Sequence, residues 1–157
     1  GVFQDDDTWK KFKQEPWSAA FISFCMRLAG AEDAFPYHPA HSYFVSEAVR
    51  NRIEGNLTGS LVAYDVDEMT PRIGDLLWFG TGKTSDWNFK RLVKEVDCGI
   101  GFFPSHTGIV AEVNSRKKRA FVVGGNVADT VLRTTVLLKD SGLLNTKRFK
   151  AVIKVNI

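Results

Sequence analysis

Ser18 and His106 are the residues whose types and settings point to chemistry. Ser18 stands in Pro16-Trp17-Ser18-Ala19-Ala20-Phe21, where an amphipathic helix is predicted to begin. A hydroxyl in the first turn of a helix is held on a rigid base. It also lies near the partial positive charge of the helix N-terminus, which favours negative charge developing there. Far downstream, Ser105-His106-Thr107-Gly108-Ile109-Val110 sets an imidazole at the start of an apolar strand. Such a nucleophile and base suit attack on a carbonyl, with a third polar residue to orient the ring. Asn126, Glu112 and Asp129 are polar residues that follow His106 in the chain. His41, after Pro39-Ala40, can cap the next helix, contact substrate or serve as the base itself, and we place it with the substrate-contacting residues. Each residue also has a plainer reading. Ser is a favoured helix N-cap, and a histidine at a strand end can be structural.

These side chains need elements to position them. Pro16 fits the first turn of a helix, where its missing N–H is not needed. A helix is predicted over about Trp17–Leu28, with Trp17, Phe21, Phe24, Cys25 and Leu28 on one apolar face and Gly30 as its stop. Residues 31–41, with Pro36 and Pro39, read as a loop. A second helix is predicted over about Ser42–Ile53, ending at Gly55. The pattern then changes. Gly74-Asp75 launches a short strand, Leu76–Phe79, and residues 80–104 read as a long irregular loop. Strands follow at Thr107–Val113, Ala120–Val123, Thr130–Leu137 and Phe149–Val155, with a hairpin turn at 115–118 and Gly124-Gly125-Asn126 before the third. Helices first and antiparallel strands afterwards predict an α+β fold in one domain over 1–157, its helices packed on a sheet of about five strands and residues 1–15 a charged lead-in.

Composition narrows the function classes. A chain of 157 residues with 44% hydrophobic and 25% charged residues fits one globular domain. A net charge of +3, without a clustered basic stripe, argues against a nucleic-acid partner. Arg116, Lys117, Lys118 and Arg119 read as a solvated turn between strands. No apolar run approaches the ~20 residues that span a bilayer, and no signal peptide is visible. Cys25 reads as a small buried hydrophobe, with a bridge to Cys98 as the alternative. No Cys/His spacing matches a structural zinc site, and no cofactor is implied.

Four motifs in order carry a resemblance. Pro16-Trp17-Ser18-Ala19-Ala20-Phe21 resembles the Trp-Cys-Ala-Ala-Phe nucleophile helix of the papain-like cell-wall amidases of the CHAP and NlpC type. Gly74-Asp75-Leu76-Leu77-Trp78-Phe79 is similar to their Gly-Asp strand, Ser105–Val110 to their Gly-His-Val-Gly-Ile-Val strand, and Gly124-Gly125-Asn126 to the segment that closes their site. A bacterial branch with Trp-Ser at this point and a segment like Ala40-His41-Ser42-Tyr43 is the nearest resemblance. It implies a papain-like fold, Ser18 as nucleophile, His106 as base and Asn126 as orienter. It also implies an amide of the peptide part of peptidoglycan as substrate and action in a secreted or periplasmic setting, as in lysins, autolysins or antibacterial effectors. An effector would have an immunity or inhibitor protein as partner.

The departure from the pattern is Ser18 itself, where the family carries Cys. Three readings follow: a working serine nucleophile, an introduced replacement of Cys, or a site that has lost hydrolysis and kept binding. A serine hydroxyl is far less acidic than a thiol and needs an aligned base and an oxyanion hole. The backbone N–H of Ser18, or less well Gln14, is the candidate donor. Aromatic residues supply the substrate surface: Trp17, Tyr43, Trp87 and Phe103 with His41, and Phe102 beside them. The competing functions are an esterase or acyl hydrolase on the same site, and a non-catalytic binding or toxin module.

Overall fold

Buried apolar strands lie at the centre of this molecule. In the computed structural model, which describes residues 16–157, the elements in chain order are α1 (Ser18–Leu28), α2 (His41–Ile53), β1 (Leu61–Asp65), β2 (Leu76–Gly80), α3 (Phe89–Asp97), β3 (Ser105–Asn114), β4 (Arg119–Val127), β5 (Thr130–Leu138), β6 (Leu144–Asn145) and β7 (Ala151–Val155). All seven strands join one sheet in the order β1-β7-β2-β3-β4-β5-β6, and every pairing is antiparallel. Leu76, Leu77 and Trp78 of β2, and Ala151 to Lys154 of β7, are buried in succession, so these strands are covered on both faces.

The expected α+β papain-like arrangement, with helices on about five strands, is overturned: among the described residues the fold is mostly sheet, a seven-stranded antiparallel half-barrel with three α-helices. Curvature explains the difference. One core lies under the helices and holds Ile22, Phe44, Trp78, Phe103 and Ile153. A second lies in the concave face of the sheet and holds Leu77, Val110, Val122, Leu138, Phe149 and Val152. The sheet buries that second face largely against itself, without a helical layer.

Three further expectations change. The helical face of α1 was read from its large residues, yet Phe24 and Leu28 are exposed and the inward residues are Ala19, Ile22 and Met26. Gly125 of β4 lets α1 sit close on the sheet. A Cβ on Gly125 of β4 would stand 2.5 Å from the Phe21 Cβ. Residues 80–104 are not a loop throughout, because they contain α3 and a 3-10 turn at Gly82–Thr84. Asn88 caps α3 by accepting from the Arg91 N–H at 2.9 Å, and Leu92 and Val96 bury its inner face. Strands β1 and β6 lie outside those expected from sequence. The turn at 115–118 stands as expected, closed by the Lys118 N–H donating to the Ser115 carbonyl at 3.3 Å. The lead-in and Gln14 lie outside the described residues. Cys25 is half-buried, Cys98 is exposed, and both are free thiols.

Gly74-Asp75 has a structural role. Asp75 is buried and accepts from Lys154 Nζ at 2.6 Å, from the Arg72 N–H at 2.7 Å and from the Val155 N–H at 3.2 Å. The buried ion pair thereby ties the start of β2 to the end of β7.

Candidate active site

Ser18 opens α1, but it does not cap it. Trp17 holds the cap position, and its side chain makes no cap hydrogen bond. The Ser18 hydroxyl instead lies 2.7 Å from His41 Nε2. His41 opens α2 in the same way, after Ala40 at the cap position. Two helix N-termini therefore converge, one carrying a hydroxyl and the other an imidazole. Behind His41, Nδ1 lies 2.8 Å from Thr107 Oγ1, in the interior. Thr107 is fully buried on β3, where it pairs with Trp78 of β2 on the face under the helices. Ser18, His41 and Thr107 form one hydrogen-bonded line that reaches from the half-buried first turn of α1 into the sheet.

The assignment of His106 as partner of Ser18 is corrected: the ring bonded to Ser18 is that of His41. His106 sits one residue before Thr107 and pairs with Phe79. Its ring centroid is 5.2 Å from that of His41 and 5.3 Å from that of Phe79. His106 is thus a neighbour of His41. Burial lowers the His41 pKa to about 3, and the nearby His106 adds to the effect. Burial also lowers His106 to about 4, with the positive charge of Arg148 as a second cause. Both rings are neutral at pH 7, and among the described residues no carboxylate hydrogen-bonds to either.

Asn126 is not the orienter. It lies half-buried in an irregular part of β4 between Gly124 and Val127, with a left-handed φ of 56°, and makes no hydrogen bond to a histidine among the described residues. Its segment does border the site, since Gly125 meets Phe21 and Gly124 meets His106. Glu112 is exposed and pairs with Arg133 at 3.4 Å. Asp129 sits at the exposed β4–β5 turn, where Ala128 and Asp129 both have positive φ.

The aromatic residues divide. Trp17 is half-buried beside Ser18 and meets Phe21 edge-on at 6.4 Å. Tyr43 is exposed two residues after His41 and stacks on His38 at 4.3 Å. Phe103 is fully buried against Trp78 and Trp87, so it is core and not a cleft wall, and Trp87 packs on it at 5.6 Å. Phe102 is exposed. Among the described residues, no group of three or more His, Cys, Asp or Glu side chains is placed to hold a metal ion, and no helix is long and apolar enough to cross a membrane.

Sequence reasoning missed Thr107 because a threonine inside a β-branched strand reads as a strand former. The signal for His41 was present: a histidine at a helix start, closer in sequence to Ser18 than His106 is.

Residues 3–154 match the model of a family described as an uncharacterized protein conserved in bacteria (DUF2272), and the chain belongs to that family. No curated protein and no solved structure matches it.

Proposed function

We propose that this domain is a serine acyl hydrolase in which Ser18 is the nucleophile, His41 the general base and Thr107 the residue that orients the His41 ring. The observation that carries this reading is the 2.7 Å contact between Ser18 Oγ and His41 Nε2 at the open end of a line that ends in the core. In the tautomer with the proton on Nδ1, His41 donates to Thr107 Oγ1, and its bare Nε2 accepts the Ser18 proton. Ser18 Oγ then attacks the carbonyl carbon, and its proton passes to His41. The tetrahedral intermediate collapses as His41 returns that proton to the leaving group, and a water repeats the sequence on the acyl-serine. The Ser18 N–H lies in the first turn of α1, has no intrahelical acceptor and suits the developing oxyanion.

The neutral orienter sets a limit. A base with a pKa near 3 is harder to protonate than an ordinary histidine by on the order of 5 kcal/mol. A hydroxyl cannot offset that as a carboxylate would. The imidazolium, once formed next to an oxyanion, is a strong acid and hands its proton on readily. This balance suits acyl groups with good leaving groups, so esters are the second reading on the same site. The amide in the peptide part of peptidoglycan remains the first substrate to test, on the strength of the motifs around Ser18 and His41. With that substrate the domain works in the cell envelope, reached by export or delivery, and an inhibitor or immunity protein would cover the Ser18 opening.

The test is release of fragments from purified peptidoglycan, followed by mass analysis, with p-nitrophenyl acetate as a parallel ester probe. Ser18→Ala and His41→Ala abolish the activity that the unaltered chain shows. Hydrolysis that survives either substitution overturns the assignment, and inertness of the unaltered chain toward both probes removes its support. Ser18→Cys separates the readings of the serine: a large gain identifies a site shaped for a thiol, and a loss identifies one shaped for a hydroxyl.

A further inference from the structure

The concave face of the sheet holds a pocket that the proposed relay does not use. His106, Arg148, Thr134, Phe79, Phe149 and Gly124 are among its walls. The Arg148 guanidinium carbon lies 4.4 Å over the Phe79 ring and 5.8 Å from the Phe149 ring. Such contacts hold an arginine by its π-face and supply no lone-pair acceptor. Among the described residues, no side-chain hydrogen bond or ion pair occupies its N–H groups. The backbone around Arg148 is tied down, since the N–H groups of Arg148 and Phe149 both donate to Thr146 Oγ1, at 3.1 and 3.3 Å. A guanidinium without an ionic partner among the described residues therefore shares this pocket with the His106 imidazole and the Thr134 hydroxyl, beside two aromatic rings. Gly124 fits the arrangement, because a Cβ there would stand 2.9 Å from His106 Nε2.

Planar donors on an arginine match the two oxygens of a carboxylate. The pocket also touches the proposed relay, because the His106 ring that lines it packs against His41. We propose that this pocket binds a carboxylate carried by the acyl substrate close to the bond that Ser18 attacks, with Arg148 as its main ligand and His106 and Thr134 beside it. The inference rests on the hydrolase reading for what the carboxylate is attached to, and on the pocket alone for the carboxylate.

The experiment separates the two. The full chain carrying Ser18→Ala, in which no turnover consumes the probe, is titrated with N-acetylalanine, N-acetylalaninamide and acetate. The ring protons of its three histidines are followed by NMR, and His106 is assigned through His106→Gln. The acid shifts the His106 signals and binds about tenfold or more tightly than the amide, and acetate binds more weakly than N-acetylalanine. Arg148→Gln removes the difference between acid and amide, and Arg148→Lys keeps part of it. Arg148 is exposed, so these variants fold. Equal binding of acid and amide, no shift with any probe, or discrimination that survives Arg148→Gln overturns the proposal. Acetate binding as tightly as N-acetylalanine also overturns it, by identifying a site for a free small acid. Discrimination that persists while the unaltered chain hydrolyses nothing leaves the pocket standing and removes the hydrolase.

Discussion

Thr107 and His106 are neighbours in β3, yet they belong to opposite faces of the sheet and to two kinds of polar site. Thr107 pairs with Trp78 in the core under the helices and closes a line of hydrogen bonds from Ser18 through His41. His106 pairs with Phe79 and looks into the concave face, where Arg148 stands without an acceptor among the described residues. On one face Ser18, His41 and Thr107 find their partners in one another. On the other the donors outnumber the acceptors. A satisfied line fixes geometry, as transferring a proton requires, while unsatisfied donors at an opening are placed to recognise something from outside.

The sharpest way to break this contrast is to remove each histidine in turn. His41→Ala deletes the base and costs about 10²–10⁴-fold in kcat. His106→Ala leaves Ser18 and its partner in place, and its effect falls mainly on KM. Steady-state kinetics on whichever probe the unaltered chain cleaves measures both. Equal collapse of kcat in the two variants would erase the division between the faces.

Acid comes next in size. Both histidines are held neutral in the folded chain, with pKa values of about 3 and about 4, against 6.5 in the unfolded one. The unfolded chain binds these protons first, so the stability they contribute is complete above pH 6.5 and is lost as pH falls toward 4. The loss is on the order of a few kcal/mol. Urea midpoints between pH 7 and pH 4 register the fall. His106→Gln makes the slope shallower by removing one of the two groups. A midpoint that does not move over this range would show that the rings are not held neutral. On the same grounds, the acid limb of the rate profile lies well below that of an ordinary histidine.

The two faces were not equally legible in the sequence. Ser18 at a helix start, the β3 and β5 strands and the hairpin at 115–118 follow from local signals: Pro16, alternating apolar residues and a run of turn residues. The inward face of α1 did not, because hydrophobicity marks Phe24 and Leu28 while the core under the helices holds Ala19, Ile22 and Met26. Strand β1, which closes one edge of the sheet, and the curvature that gives it a second core depend on pairings between β7 and both β1 and β2, and no local window contains those. The relay shows the same division. Its three residues come from three elements, and only the fold shows that Thr107, and not Asn126, lies behind His41.

Gly125 tests how closely the two faces are joined. Gly125→Ala puts a methyl 2.5 Å from the Phe21 Cβ, so α1 must shift away from β4. Overpacking of this kind costs about 1–3 kcal/mol, read as a lower thermal midpoint. Because Ser18 rides on α1, kcat falls with it. A variant with the reduced midpoint and full kcat would show that Ser18 does not depend on the seat of its helix.

The smallest expected effect sharpens the comparison most, because it concerns one hydroxyl. Thr107→Val keeps the shape of the buried side chain and removes the partner of His41 Nδ1. A neutral hydrogen bond of this kind contributes about 0.5–1.5 kcal/mol, so kcat falls about threefold to tenfold. KM holds, since Thr107 is fully buried and out of reach of a substrate. Thr107→Ser restores the hydroxyl and most of the rate. A merely structural role predicts a different pattern: equal losses in stability for valine and serine and no change in the acid limb of the rate profile. If Thr107 orients the ring, valine frees His41 to take the other tautomer, which offers Ser18 an N–H in place of a lone pair, and only kcat responds.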